Sequence, residues 1–420
     1  MRAIIAFLLF VVLAISGGDA YGQTFGVELH NTLMPASSGM GGASFSQPQD
    51  VQSAIYGNPA TMTQFEGTQF SFGGGWAEAT INVDQTKALP LIGITPFKAK
   101  SNAPGSALGN IGIIHGTNLM GMPVKMGLGF MSNAGLGVDY RPNPESNGTH
   151  ASLLALDVVT SFGMQVSDRM SVGGAFHLGT GVMDGPFVAS SSSQTDYAGR
   201  GSLGLNFILA PGITLGGYYQ SKKSHTFDDL VRFGAGPFQD MNLDLPSNIG
   251  FGIANQNLMN GRLLLATDLL FKSYSKADGF DAIYDDQWVF MFGSQYIVNQ
   301  RIRARMGYAY NTNPMLDQVP NEIGGIIPVG GIPAVNFIQG QFASISQHRL
   351  TGGLGIRDIM PNVDLDLSVG GMFQGDQAFG STLVDVKSYW FAFGLSWRCG
   401  PAAGGDCCTP AYNSNEVSMR

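Results

Sequence analysis

Past Gly67 the chain runs in short stretches where polar and apolar residues alternate with a period of two. In RIRARMGYAY, Arg301, Arg303 and Arg305 fall on one face, and Ile302, Ala304, Met306, Tyr308 and Tyr310 on the other. Val363, Leu365, Leu367 and Val369 alternate with Asp364, Asp366 and Ser368. Trp288, Phe290, Phe292, Tyr296 and Val298 share a parity, as do Tyr389, Phe391, Phe393, Leu395 and Trp397. Side chains two apart lie on one face of a strand, so each stretch predicts a strand with one apolar side. Fourteen are predicted, near 67–83, 108–118, 123–137, 149–166, 170–183, 195–209, 212–221, 247–255, 261–273, 286–298, 301–311, 341–357, 362–374 and 385–398. The ninth is mixed. Leu264 and Leu270 share its inner face with Asp268 and Lys272, which suits a lumen for hydrophobic molecules better than a water-filled one.

The connections alternate long and short without a break. Segments 84–107, 138–148, 184–194, 222–246, 274–285, 312–340 and 375–384 are long, and tight turns such as Ser167-Asp168-Arg169, Ala210-Pro211 and Asn299-Gln300 lie between them. Antiparallel outer-membrane barrels have long loops outside and short turns on the periplasmic side, and an even strand count leaves both chain ends periplasmic. A soluble sandwich or propeller has no reason for this pattern. The predicted fold class is therefore all-β, a transmembrane antiparallel β-barrel of about 14 strands over residues 67–398.

Composition sharpens this. Only 12% of residues are charged, 10% are aromatic and 59 are glycine, roughly double the usual share of about 7%. A net charge of −8 argues against a nucleic-acid partner. Residues 1–20 read as a secretory signal peptide, with Arg2, an apolar core from Ala3 to Ile15 and a small-residue site at Gly18-Asp19-Ala20. All three cysteines, Cys399, Cys407 and Cys408, fall in a periplasmic tail, 399–420, so the body is not a disulfide scaffold. The tail forms either a Cys399–Cys407 or Cys399–Cys408 disulfide, or is a dispensable extension.

Between leader and strands lies ASSGMGGASFSQPQDVQSAIYGNPATMTQF, Ala36 to Phe65. It is too polar and short for a domain, and glycines and prolines break it into turns around one short helical piece at Asp50–Tyr56. Within residues 21–66 it reads as a plug that the later strands close around, with Asn58, Pro59 and Ala60 fixing its closing turn. A plug that must move on ligand binding is expected to be only marginally tied to the wall.

This phrase resembles the N-terminal hatch of the FadL/TodX (OMPP1) family of outer-membrane channels for long-chain fatty acids and other hydrophobic compounds. LPSNIGFGIANQ, LLLATDLLFKSYSKADGF, DDQWVFMFGSQYIVNQRIRARMGYAYNTNP and SQHRLTGGLGIRD are similar to its later strand phrases, while 84–240 carries little likeness. The resemblance implies basic residues near the head of a bound acid and a kinked strand opening the wall sideways. No family motif assigns either role to a position.

The residues offer candidates for both. Arg301, Arg303 and Arg305 form either a structural ladder with Asp364, Asp366 or Asp268, or a contact for a ligand carboxylate, which arginine makes well. PVKMGLGFMSNAGLG, with Gly127, Gly129 and Gly135, is either an ordinary Gly-rich strand or the lateral opening. His177 reads as a polar lumen residue. No Gly-x-Ser-x-Gly, His-Glu-x-x-His or phosphate-binding loop is present, so no enzyme, cofactor or metal is expected. The expected function is passive uptake of hydrophobic small molecules, fatty acids or aromatic hydrocarbons, by a monomer in contact with outer-membrane lipid and lipopolysaccharide. A hydrophilic porin and a structural or adhesive surface barrel are the alternatives.

Overall fold

The computed structural model describes residues 28, 30–119, 121–185, 193–232 and 237–399. The signal peptide, and Cys407 and Cys408 of the tail, lie outside the described residues.

Seventeen strands are present among the described residues: β1 (Thr68–Gln85), β2 (Phe97–Lys100), β3 (Ser106–Leu119), β4 (Met122–Asp139), β5 (His150–Ser167), β6 (Met170–Asp184), β7 (Ser193–Ala210), β8 (Ile213–Gln220), β9 (Lys223–Arg232), β10 (Phe238–Leu245), β11 (Ser247–Asn257), β12 (Leu263–Ser273), β13 (Gln287–Ile297), β14 (Ile302–Asn311), β15 (His348–Met360), β16 (Val363–Phe379) and β17 (Thr382–Cys399). Fourteen of them, all but β2, β9 and β10, form one antiparallel sheet that closes on itself where β1 pairs with β17, from Thr68↔Cys399 to Gln85↔Thr382. β2 adds a short edge to β1, and β9–β10 is a separate hairpin. Closure leaves neither the first nor the last strand with a free edge for lipid to meet. The fold class read from the alternation is the one observed.

Parity places the side chains as lipid demands. Phe290, Phe292, Met306, Tyr308, Tyr389 and Phe391 stand exposed on the outer surface, while Arg305, Asp364, Asp366 and Trp390 are buried within. The wall is uneven: β1, β4, β5, β7 and β17 have 18 residues each, but β8 has 8 and β14 has 10. The long loops rise above the short side.

Two segments depart from the period-two reading. Residues 332–341 form a helix, α2 (Ile332–Gln341), so the twelfth wall strand begins at His348 rather than 341. Ala334, Val335, Phe337 and Ile338 are buried, a helical spacing that local alternation after Gln341 obscured. Segment 222–246 is not open loop: β9 folds inward, burying Lys223, His225 and Phe227.

Candidate functional site

The lumen is filled in layers. At the periplasmic end sits the plug, residues 30–66, around helix α1 (Val51–Tyr56). Asp50 caps that helix by accepting from Ser53 N at 2.8 Å, and its other oxygen accepts from Ala36 N and Ser37 N at 2.9 and 2.7 Å. One carboxylate thus ties two plug turns together. Asp268 of β12 accepts from Ser44 N and Phe45 N, clamping a third turn to the wall. Asn58 donates to Phe45 O at 2.8 Å and to Leu205 O of β7 at 2.9 Å, while its own oxygen accepts from Ala60 N at 3.2 Å. Pro59 and Ala60 lie against Gly163, Gly173 and Gly204, and a Cβ on Gly204 would stand 2.2 Å from Asn58 Oδ1. The loosely held plug anticipated from the sequence is not what these bonds describe, because backbone meets wall backbone and buried polar groups must be paired. Leu264 and Leu270 serve the same docking. They pack in a cluster with Met40, Ala43 and Phe45 of the plug, and Leu264 also reaches the edge of the polar cavity below it.

Below the plug, a cavity of about 720 Å³ opens between the short turns. Gln47, Gln49, Gln64 and Gln295 line it with Arg262, Arg303, Arg357 and Arg398. It is a polar vestibule. Of the three predicted arginines, Arg303 faces this vestibule, Arg301 is exposed in the turn before β14, and Arg305 is buried. Arg305 Nη1 lies 2.6 Å from Asp366 Oδ1, and its Nε donates to Gln295 Oε1 at 2.7 Å. Asp364 is taken by Arg357 and Arg398. The three are therefore not brought to one ligand head.

Above the plug lies a buried ionic layer that the sequence reading missed. Glu28, ahead of the plug, pairs with Arg200 at 2.6 Å and accepts from Asn248 Nδ2 at 2.7 Å. Arg200 also donates to Tyr56 Oη at 2.6 Å. Tyr56 in turn donates to Asn133 Oδ1, whose amide reaches Asp157 Oδ2 at 3.0 Å. Lys223 Nζ lies 2.5 Å from Asp157 Oδ1, and His177 Nε2 meets Ser202 Oγ at 2.7 Å. Parity marks Asp157, His177 and Arg200 as inward-facing. Of their partners, Glu28 lies ahead of the plug, Tyr56 within it and Lys223 on the β9 hairpin, which parity does not address.

Over this floor the long loops bury one continuous apolar compartment. It joins wall residues Ile81, Val138 and Leu153 to Phe227, Phe280, Tyr284 and Phe337 from the loops. Burial of aliphatic and aromatic side chains on this scale is hydrophobic packing, and the Tyr284 hydroxyl donates to Phe342 O.

The wall beside the compartment is interrupted. β3 and β4 pair only from Ile111↔Phe130 to Leu119↔Met122. Beyond Phe130, β4 pairs with β5 alone, and Asn133 is an extra residue bulged between Ser132 and Ala134. Hydrogen bonds stitch the two ends of the gap, one of them backbone to backbone, from Asn102 N to Asp139 O at 2.8 Å. Ser132 N donates to Asn110 Oδ1 at 3.0 Å, and Asp139 N donates to Ser101 Oγ at 3.0 Å. Gly135 stands inside this interruption. Gly127 and Gly129 do not: they lie in the paired part of β4, where Ile55 and Met62 of the plug fill the space their missing side chains leave.

A closed fourteen-stranded barrel with an internal plug, an apolar outer half and an apolar outer surface defines an outer-membrane channel. Residues 25–184 match the family described as outer membrane protein transport protein (OMPP1/FadL/TodX). Among solved structures, the chain is similar to the Pseudomonas putida toluene transporter TodX, at 16% identity and TM-score 0.62, covering 87% of this chain and 98% of that one. It is similar also to the Ralstonia pickettii toluene transporter TbuX, at 18% identity and TM-score 0.62 over 88% of this chain and 99% of that. A Pseudomonas aeruginosa FadL homologue gives 15% identity and TM-score 0.62 over 90% and 99%. No curated protein matches the chain. The family match covers residues 25–184, and over most of the chain the fold is that of these solved structures.

Proposed function

We propose that this channel takes up hydrophobic small molecules, long-chain fatty acids or monoaromatic hydrocarbons, and releases them sideways into the bilayer between β3 and β4. The carrying observation is the interrupted ladder beside Val138 of the apolar compartment. A greasy solute in that compartment has two ways on. Downward lie the Glu28–Arg200–Asp157 layer, the hydrogen-bonded plug and the Gln- and Arg-lined vestibule, where apolar surface gains nothing and buried charges would lose partners. Sideways lies lipid, which solvates it fully. Asn133 couples the routes, since the bulged residue of the gap also holds Tyr56 of α1. Similar structures are those of toluene transporters and of a monoaromatic hydrocarbon channel, which supports the cargo class. Asn58, Pro59 and Ala60 hold the plug in this reading. Arg301, Arg303 and Arg305 serve the wall and vestibule. The chain works as a monomer and catalyses no reaction.

The test is paired uptake in cells lacking their own hydrophobic channel, a labelled long-chain fatty acid and toluene against a small sugar. Wild type is expected to speed the hydrophobic probes and not the sugar. Deleting Asn133 removes the bulge and lets β3 and β4 pair onward, so it is expected to abolish hydrophobic uptake in a barrel that still assembles. Sugar uptake alone would replace this reading with that of a porin.

A further inference from the structure

The vestibule below the plug carries more positive charge than its own carboxylates match. Arg262, Arg303, Arg357 and Arg398 line it, against Asp50, Glu66 and Asp364. All three carboxylates are already engaged. Asp50 accepts from three backbone amides of the plug. Asp364 takes Arg357 Nη1, Arg398 Nη2 at 3.1 Å and Asp358 N at 3.0 Å. Glu66 stands exposed and interacts electrostatically with Lys125 of β4.

Arg303 is the cation this leaves over. It is half-buried, yet its side chain makes no hydrogen bond or ion pair among the described residues. Strand register gives the reason. Arg303 of β14 stands between Ile297 of β13 and Gly355 of β15, and neither has an acceptor in its side chain. Asp366 of β16 is next along the row, opposite Gly355, but it is held by Arg305 at 2.6 Å. That pair lies over Gly355, where a Cβ would meet Asp366 Oδ1 at 2.8 Å and Arg305 Nη2 at 3.0 Å. A finished ion pair thus fills the space beside Arg303, and the free guanidinium lines the cavity.

A guanidinium partly withdrawn from water with no counter-charge is unfavourable, and an oxyanion beside it reverses that. Arg357 and Arg398 extend the positive surface. Gln47 Nε2 and the side-chain amide of Gln256 have no hydrogen-bond partner among the described residues either, and they line the same cavity. We propose that the vestibule binds a small organic anion from the periplasm, its carboxylate or phosphate group held by Arg303. The inference goes beyond the channel reading and does not depend on it. The cavity's 720 Å³ or so falls within the span of about 300–1,000 Å³ usual for small-molecule sites. A metabolite-sized molecule fits there and a folded partner does not. The hydrophobic cargo is the wrong occupant, because arginine and glutamine side chains give an alkyl chain no apolar surface in exchange for water.

The experiment uses the assembled barrel, purified in detergent, with citrate and inorganic phosphate as probes. Calorimetric titration at fixed ionic strength, balanced with chloride, is expected to show one saturable site per chain for at least one probe. Which probe binds tells a carboxylate site from a phosphate site. Arg303→Gln is expected to weaken that binding at least about tenfold, the usual contribution of a hydrogen bond to a charged group, and Arg303→Lys by less. Arg301, exposed in the turn and outside the cavity lining, supplies the control, and Arg301→Gln is expected to bind as wild type does. A second measurement needs no variant. Phenylglyoxal, which modifies free guanidinium groups, is expected to label Arg303 in wild type and to be excluded by the bound probe, with labelling of Arg301 unchanged. Heats no larger than those of chloride alone would overturn the site, as would equal affinity in Arg303→Gln. Shielding of Arg303 by a long-chain fatty acid, and by neither citrate nor phosphate, would make the vestibule part of the cargo path and overturn it too. Failure of wild type to carry hydrophobic probes would sink the channel reading and leave this site standing.

Discussion

The lower and upper halves of this lumen are both closed, by different materials. Below, backbone lies on backbone. A Cβ on Gly307 would come within 2.0 Å of Gly41 N, and one on Gly216 within 2.0 Å of Phe45 O. The wall has given up side chains so that the plug can enter, and Asp50, Asp268 and Asn58 hold what entered. Above, wall and loops meet through side chains such as Phe227, Phe280 and Phe337. Such a core makes room by rotamer changes, whereas a backbone interface has none to offer. On the proposed reading a guest molecule is accommodated in the upper half, while the plug moves as a unit or not at all.

The contrast breaks most sharply from above. Phe337→Ala opens a void in the loop core, a change that costs about 3–5 kcal/mol in packed interiors. Because Phe337 sits on α2 and not in a ladder, the loss is expected in the loops alone. Hydrogen exchange of 274–286 and 312–347 is expected to quicken, with the wall strands unchanged and hydrophobic uptake raised. Equal loss of protection in β14 and β15 would mean that the halves are one cooperative unit.

Below, Gly307→Ala is expected to cost about 1–3 kcal/mol, the usual range for overpacking, or more, since its neighbours are backbone atoms of Met40 and Gly41. The barrel still closes, but the plug is displaced. The measurement is leakage of a small sugar together with protease access to 36–65. Asn58→Ala leaves Phe45 O and Leu205 O without their donor, at about 1–3 kcal/mol for buried groups left unpaired. The same two readouts are expected to move the same way by less. A variant that blocks fatty-acid uptake with no leak would show that the plug gates cargo without being loosened.

The wall was legible because its pattern is local. Every outward residue meets the same solvent, lipid, so alternation survives whatever the lumen holds, as Met306 and Tyr308 against Arg305 show. The helix α1 was legible too, since Asp50 caps it three residues on. Interior pairing was not. Trp390 Nε1 donates to Ser38 Oγ across 352 residues, and Arg305 chose Asp366 among three carboxylates of suitable parity. Leu264 was read as lining for cargo because a single strand does not reveal that Phe45 will cover it. α2 was hidden for the same reason, its apolar spacing having meaning only once a compartment exists to receive it.

The smallest expected effect sharpens the comparison most, because it uses the same substitution in the half that adapts. Gly340 lies near the end of α2, and its Cβ would stand 2.9 Å from Thr382 Cγ2 and 3.2 Å from Val384 Cγ2. Both are too close, but both are methyl groups and not backbone. Thr382 has limited freedom, since its hydroxyl donates to Gln85 Oε1 at 2.6 Å, so α2 must shift outward by a few tenths of an ångström. Against that, Ala is favoured over Gly within a helix by about 1 kcal/mol. The two nearly cancel. Gly340→Ala is expected to change the thermal midpoint and loop exchange by no more than the equivalent of about 1 kcal/mol, with no sugar leak. If it instead behaves like Gly307→Ala, the upper half is as rigid as the lower, and the accommodation of cargo there by side-chain movement is refuted.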